Sequence, residues 1–162
     1  MTLMPVRAYV GLGANLGDAP ATLRAVLREL AATPGIVACR PSGFYRTAPV
    51  DAAGPDFTNA VAAVDTTLAP LALLDALQAL ENRHGRLRPY KNAPRTLDLD
   101  LLLHGDTAMD TPRLTLPHPR MHERAFVLAP LCELAPGLVL AQGPLPALLA
   151  RLADQPIERL KD

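Results

Sequence analysis

Residues Leu97–His104 read Leu-Asp-Leu-Asp-Leu-Leu-Leu-His, and this alternation constrains the chain more than any other stretch. A period of two is that of a β-strand. Asp98 and Asp100 therefore project from one face, while Leu97, Leu99 and Leu101 enter a core on the other. Two neighbouring carboxylates raise each other's pKa unless a positive charge lies between them. A divalent cation meets that need, and Mg²⁺ is usually held by one or two carboxylates together with substrate phosphates. Arg95 stands just before the strand, placed to grip a phosphate. A bare Asp-x-Asp also arises as two solvated carboxylates; the apolar frame and Arg95 favour metal and phosphate.

The surrounding pattern predicts a strand at Val6–Leu12 and then a turn-rich loop, Gly11 to Asp18. Asp18 caps a helix carrying Leu23, Val26, Leu27 and Leu30. A second strand is predicted at Ile36–Arg46, interrupted by Pro41 and Gly43, and a third at Phe57–Thr66. A helix opened by Pro70 and a fourth strand at Leu97–His104 follow. Strand, helix, strand, strand, helix, strand is the order of an α+β, ferredoxin-like βαββαβ core, with an antiparallel sheet and two helices on one face. The remainder, Gly105 to Asp162, predicts short strands near Thr107–Leu116 and helices near Arg124–Leu134 and Leu145–Leu152. Such an extension covers the sheet's other face and makes a three-layer α-β-α arrangement. At 162 residues the expectation is one domain spanning 1–162.

Charge narrows the partners. Sixteen basic residues balance sixteen acidic ones, so no global field favours nucleic acid or membrane. The local exception is Arg83 to Arg95, which holds Arg83, His84, Arg86, Arg88, Lys91 and Arg95 and no acidic residue. Polyphosphate accounts for such a loop, as does a nucleic-acid backbone. Gln78 and Glu81 lie three apart on one helix face, which on spacing alone is an ordinary polar face. Around Arg113–Arg124, cations and imidazoles alternate with rigid prolines. Pro117 and Pro119 argue against one helix presenting His118 and His122 to zinc. Phe57 and Phe126 suit a core or the two faces of a flat heterocycle, with Asn59 at its polar edge. Cys39 and Cys132 have no metal-ligand spacing and are expected to be buried, reduced thiols. No signal-peptide layout and no membrane-length apolar run occur, so a cytoplasmic location is expected. P-loop and nucleophile-elbow motifs are absent.

Taken together, several blocks resemble the 6-hydroxymethyl-7,8-dihydropterin pyrophosphokinase family. They are Gly11-Leu12-Gly13-Ala14-Asn15-Leu16-Gly17, Phe44-Tyr45-Arg46-Thr47-Ala48-Pro49, Asp56-Phe57-Thr58-Asn59-Ala60, Glu81-Asn82-Arg83-His84-Gly85-Arg86, Pro94-Arg95-Thr96-Leu97-Asp98-Leu99-Asp100 and Leu116-Pro117-His118-Pro119-Arg120-Met121. The resemblance spans Val6 to Leu138. It implies transfer of the β,γ-diphosphate of ATP to the pterin hydroxymethyl group, with release of AMP. Asp98 and Asp100 then hold two Mg²⁺ ions, and with Arg88 and Arg95 they form the catalytic set. Gln78, Arg88, Arg95, His118 and Arg124 contact the nucleotide; Leu101, Arg113 and Thr115 match adenosine positions. Thr47, Pro49, Phe57, Asn59 and Phe126 match the pterin pocket, and Glu81 another active-site position. The segments Thr47–Asp56 and Arg86–Pro94 correspond to the family's mobile catalytic loops.

Three positions depart from common members. The loop tryptophan is missing from Arg88-Pro89-Tyr90-Lys91-Asn92-Ala93, Pro119 follows His118, and Phe57 stands where tyrosine is frequent. The expected partners are ATP and hydroxymethyldihydropterin, with no nucleic acid and no membrane, and the expected state is a monomer. Two other readings share the paired aspartates or the sheet. A palm-like nucleotidyltransferase or cyclase would release pyrophosphate, and a non-catalytic binding module would not consume ATP.

Overall fold

The structure is a computed structural model that describes residues 4–15, 17–48, 55–84 and 97–161. In chain order the elements are β1 (Val6–Ala14), α1 (Ala19–Ala31), β2 (Ile36–Pro41), β3 (Tyr45–Thr47), β4 (Phe57–Thr66), α2 (Pro70–Arg83) and β5 (Asp98–His104). There follow β6 (Met109–Asp110), β7 (Thr115–Leu116), a 3₁₀ turn (Met121–Glu123), α3 (Ala125–Leu134), β8 (Val139–Leu140), β9 (Gly143–Pro144), α4 (Leu145–Ala150) and β10 (Glu158–Arg159). Among the described residues the main sheet runs β10-β3-β4-β1-β5, with β2 also pairing β4, and every pairing is antiparallel.

Alternation along the strands separates two cores. Ala8, Val10 and Leu12 of β1, Ala60, Ala62 and Val64 of β4, and Leu99 and Leu101 of β5 turn to one face, with Leu97 just ahead of β5. There they meet Leu23, Val26 and Leu30 of α1 and Leu73, Leu77 and Leu80 of α2, which recur at helical spacing. The Asp18 carboxylate accepts the Ala21 N–H at 3.1 Å, and Pro20 occupies the first turn of α1. On the opposite face Tyr9, Val61, Ala63 and Leu102 meet Val127, Leu128 and Leu131 of α3 and Leu145 and Leu148 of α4. Each fully buried leucine contributes about 1.5–3 kcal/mol by leaving water.

Two strand boundaries differ from the sequence expectation by more than one residue. β1 continues past Leu12 to Ala14, because β4 and β5 flank it and pair its backbone on both sides, glycines included. The strand expected over 36–46 divides into β2 and β3. At the break the Ser42 N–H donates to the Val61 carbonyl (2.8 Å), and the Ser42 hydroxyl oxygen accepts the Val61 N–H (3.0 Å). A side chain thus replaces one rung of the ladder. Both cysteines are half-buried rather than buried: Cys39 lies on β2, which has one partner strand and keeps its side chains near the surface, and Cys132 lies on α3 at the margin of the second core. Burial pushes the Cys39 thiol up. No helix among the described residues is long and apolar enough to cross a membrane.

The C-terminal strand is tied to the sheet edge by one carboxylate. Glu133 of α3 accepts the Gly43 N–H at 2.9 Å, the Tyr45 hydroxyl at 2.7 Å and Arg159 Nε at 3.3 Å. Burial by itself raises Glu133, but the Tyr45, Gly43 and Arg159 donors outweigh it and hold the carboxyl below its ordinary range. Tyr45 is pushed up to about 12 by burial and by its bond to Glu133. A folded-state pKa above the unfolded one means stability present below pH 10 and lost as pH rises toward 12. Denaturant midpoints should therefore fall over that window, and the fall should be smaller in Tyr45→Phe. Equal slopes in the two proteins would remove Tyr45 as the cause.

Candidate functional site

The α3/α4 face of the sheet changes character along its length. Under the helices its residues are large and apolar. Toward the start of α3 they become small or polar, Gly11 and Gly13 on β1, Asn59 on β4, and Asp98 and Asp100 on β5, with the aromatic ring of Phe57 on β4 beside them. These residues line a cleft of about 850 Å³. The register sets the chemistry, for Gly11 pairs with Asp100, and Gly13 pairs with Asp98 on one side and Asn59 on the other. Glycines opposite the aspartates leave the floor of the cleft without side chains between the carboxylates and Asn59.

Asn59 is buried, and its Nδ2 donates to Thr47 Oγ1 at 2.7 Å. A Cβ added at Gly13 would sit 2.9 Å from Asn59 Oδ1. Gly13→Ala is therefore expected to turn Asn59 off its partner and to weaken binding in this part of the cleft by about tenfold, roughly 1.4 kcal/mol. Stability should drop by about 1–3 kcal/mol, as for other overpacked sites. Titration calorimetry reads the first effect, and an unchanged affinity would refute it.

Asp98 and Asp100 are half-buried and lie at the cleft wall. Among the described residues no group of three or more His, Cys, Asp or Glu gathers to hold a metal. The donor set is two hard oxygen ligands, which suits a cation that completes its shell with water and phosphate, as Mg²⁺ does.

The strand bearing them is held from α2. The N–H of Leu99, between the two aspartates, donates to Glu81 Oε2 at 2.9 Å, and Glu81 is 5% exposed. The polar helix face read from spacing is thus, at Glu81, a buried anchor for an edge strand. Glu81→Ala is expected to lower stability by about 1–3 kcal/mol, because it strands a buried N–H. Glu81→Gln keeps an acceptor and should retain most of that stability. Chemical denaturation distinguishes them; equal losses would point to the charge instead.

His118 enters the cleft from the loop after β7. Its N–H donates to the Leu102 carbonyl at 2.9 Å, and its Nδ1 accepts the Arg120 N–H at 3.2 Å. A neutral ring therefore carries its proton on Nε2. Burial lowers this imidazole; Asp100 pulls it up, Arg124 and Arg120 push it down, and the net is below the ordinary value. Opposite, the Arg124 guanidinium lies over the Phe126 ring, 5.6 Å from its centroid.

A smaller cleft of about 290 Å³ adjoins the first. Leu101, Arg113 and Thr115 line it, together with Leu74 and Leu114, and Asp100 and His118 line both clefts. Arg113 also pairs with Asp75 at 2.5 Å.

Of the residues expected from sequence, the larger cleft gathers Thr47, Phe57, Asn59, Asp98, Asp100, His118, Arg124 and Phe126, and the smaller one Leu101, Arg113 and Thr115. Gln78 is half-buried on α2 and lines neither; Leu74, one turn earlier, lines the smaller. Pro49, Arg88 and Arg95 lie outside the described residues, as do Tyr90, Lys91 and Asn92. Sequence reading missed Gly11 and Gly13 as cleft floor, and it missed Arg120, Glu123, Asp154, Gln155 and Pro156. Gly11 and Gly13 read from sequence as the start of a turn-rich loop; only their pairing with β4 and β5 puts both on one strand face. Nothing local marks the residues from the C-terminal segment.

Comparison with known proteins gives concordant matches. Residues 9–136 match the family described as 7,8-dihydro-6-hydroxymethylpterin-pyrophosphokinase. The 2-amino-4-hydroxy-6-hydroxymethyldihydropteridine pyrophosphokinase of Pseudomonas aeruginosa is 49% identical over 156 residues, which cover 95% of this chain and 96% of that one. The Methylorubrum extorquens enzyme of the same name is 43% identical, covering 96% and 99%. In fold, the chain is similar to a crystal structure of a Plasmodium falciparum HPPK-DHPS variant with SDX-DHP. The TM-score is 0.76 at 14% identity, over 94% of this chain and 46% of that one. The chain thus spans a little under half the length of that solved chain.

Proposed function

We infer that this chain, which belongs to the 7,8-dihydro-6-hydroxymethylpterin-pyrophosphokinase family, transfers the β,γ-diphosphate of ATP to 6-hydroxymethyl-7,8-dihydropterin for folate biosynthesis. AMP and the pterin diphosphate are the products. One observation carries the placement of the substrates: two clefts meet at Asp100 and His118. The larger has aromatic rings and a fixed amide and takes the pterin. The smaller takes the adenosine against Leu101, Arg113 and Thr115. The triphosphate then crosses the shared wall.

In this reading Phe57 and Phe126 stack on the pterin faces. Asn59, whose Nδ2 is committed to Thr47, offers Oδ1 to a donor on the ring edge. The acceptor hydroxyl attacks the β-phosphorus, the bond from that phosphorus to the α-phosphate oxygen breaks, and AMP leaves. Such a transfer is governed by positioning and charge neutralisation. His118 donates from Nε2 to a phosphate oxygen, and Arg88, Arg95 and Arg124 contribute positive charge. Asp98 and Asp100 would hold two Mg²⁺, which supply Lewis-acid stabilisation of the phosphates when bound. Gln78 and Glu81 complete the set, Glu81 by holding the strand of the aspartates.

The same reading takes residues 1–162 as one pyrophosphokinase domain with a ferredoxin-like βαββαβ core and three α-β-α layers. The supporting facts are the strand order and the placement of α1 and α2 against one face and α3 and α4 against the other. It takes the chain as a cytoplasmic monomer that partners neither nucleic acid nor membrane, consistent with its balanced charge. Incubation with ATP, Mg²⁺ and 6-hydroxymethyl-7,8-dihydropterin should yield AMP and the pterin diphosphate. Pyrophosphate in place of AMP would indicate a nucleotidyl transferase, and unconsumed ATP a binding module.

A further inference from the structure

We propose that Gln155, in the C-terminal segment beyond the family match, is a positioning residue for the pterin pocket: its side-chain amide clamps the corner that carries Arg124 and Phe126. The inference rests on the reading of Phe126 as a pterin-stacking ring.

α3 begins at Ala125, and its N-cap residue, Arg124, makes no side-chain cap bond. The N–H of Ala125, a buried residue at this helix start, is satisfied from a distance. Ala125 N–H donates to Gln155 Oε1 at 2.9 Å, and Gln155 Nε2 donates to the Glu123 carbonyl, also at 2.9 Å. One amide therefore grips the residue before Arg124 and the residue after it. Arg124 between them is extended (φ −124°, ψ 111°), the conformation that carries the chain from the 3₁₀ turn into α3. Gln155 is itself held, its N–H donating to the Leu152 carbonyl at 2.9 Å. With Asp154 and Pro156 it forms part of the cleft wall.

Helix-start N–H groups are the part of a helix most dependent on an outside acceptor. Phe126 is the next residue along, so its ring can hold one orientation only if the first turn does. The long Arg124 side chain can readjust to a small backbone shift, whereas a stacked ring cannot.

Gln155→Met keeps the length of the side chain and removes both bonds, while Gln155→Glu keeps the acceptor for Ala125. Titration calorimetry gives the Kd of 6-hydroxymethyl-7,8-dihydropterin in the presence of Mg²⁺ and a non-hydrolysable ATP analogue. The Kd of the analogue, the Tm, and Phe126→Ala as a reference are measured alongside. Gln155→Met should raise the pterin Kd by about tenfold, the size of a lost cap. The analogue's Kd should change by less than about twofold, and Gln155→Glu should fall between Gln155→Met and the parent. A lowered Tm with an unchanged pterin Kd would make Gln155 merely structural and overturn the proposal. If Gln155→Met does not fold, Gln155→Glu is read instead: a severalfold rise supports the clamp, and no change overturns it. An unchanged pterin Kd in Phe126→Ala would overturn the pocket reading, and this inference with it. A weakened Phe126→Ala beside an unaffected Gln155→Met overturns the clamp alone.

Discussion

Asp98→Ala and Asp100→Ala should each lower turnover by about a thousandfold or more, while the Kd of the pterin changes far less. The magnitude follows from removing a ligand that contributes several kcal/mol of charge stabilisation to a phosphoryl transition state, at about 1.4 kcal/mol per factor of ten. Both side chains are half-buried on the cleft side of β5, and the packing of that strand rests on the opposite face, on Leu99 and Leu101. The variants should therefore fold. Asp98→Asn and Asp100→Asn keep the shape and lose the charge, and they should be nearly as slow. Rapid-quench kinetics with labelled ATP read the effect. Near-normal rates in any of the four would remove the paired carboxylates from catalysis. A loss of Tm matching the loss of rate would make them structural.

Phe126→Ala should raise the Kd of hydroxymethyldihydropterin by about fiftyfold. Stacking contributes about 0.5–1.5 kcal/mol beyond burial, and the apolar contact of a ring face adds about as much again. Phe126 is half-buried at the start of α3, so truncation removes less core than a typical Phe→Ala change. Phe126→Leu keeps apolar bulk without a flat face and should fall between the two. Binding of an ATP analogue should shift little, since the smaller cleft does not include this ring. Calorimetry on the three proteins tests this, and equal pterin affinities would assign Phe126 to the core alone.

The most legible part of the chain was Leu97–His104. Its alternation demanded two unlike faces, and Leu97, Leu99 and Leu101 are 1%, 6% and 2% exposed while both aspartates line the cleft. Helix positions were legible for the same reason, since Leu23, Val26 and Leu30 of α1 follow helical spacing and are buried. Errors arose where distant chain decides. β1 was expected to stop at Leu12 because Gly11, Gly13 and Gly17 signal a turn; two neighbouring strands hold it extended to Ala14. Glu81 looked like surface because no local rule says that an unpaired strand N–H waits beneath it. The division of the expected second strand depends on Ser42 reaching Val61, nineteen residues away.

Residue type and period thus settled which side chains face a core, where the carboxylate pair stands on its strand, and which family the blocks resemble. They act over a few residues and need no partner. Where the cleft lies, that glycines face the aspartates, and that Gln155 closes the corner by Phe126 all came from pairing across the fold. A hydrogen bond or a register match depends on separation in space, and bonds such as Ala125–Gln155 join residues 30 apart in sequence. Spacing along the chain carries no trace of such bonds; packing the sheet between its helices creates them.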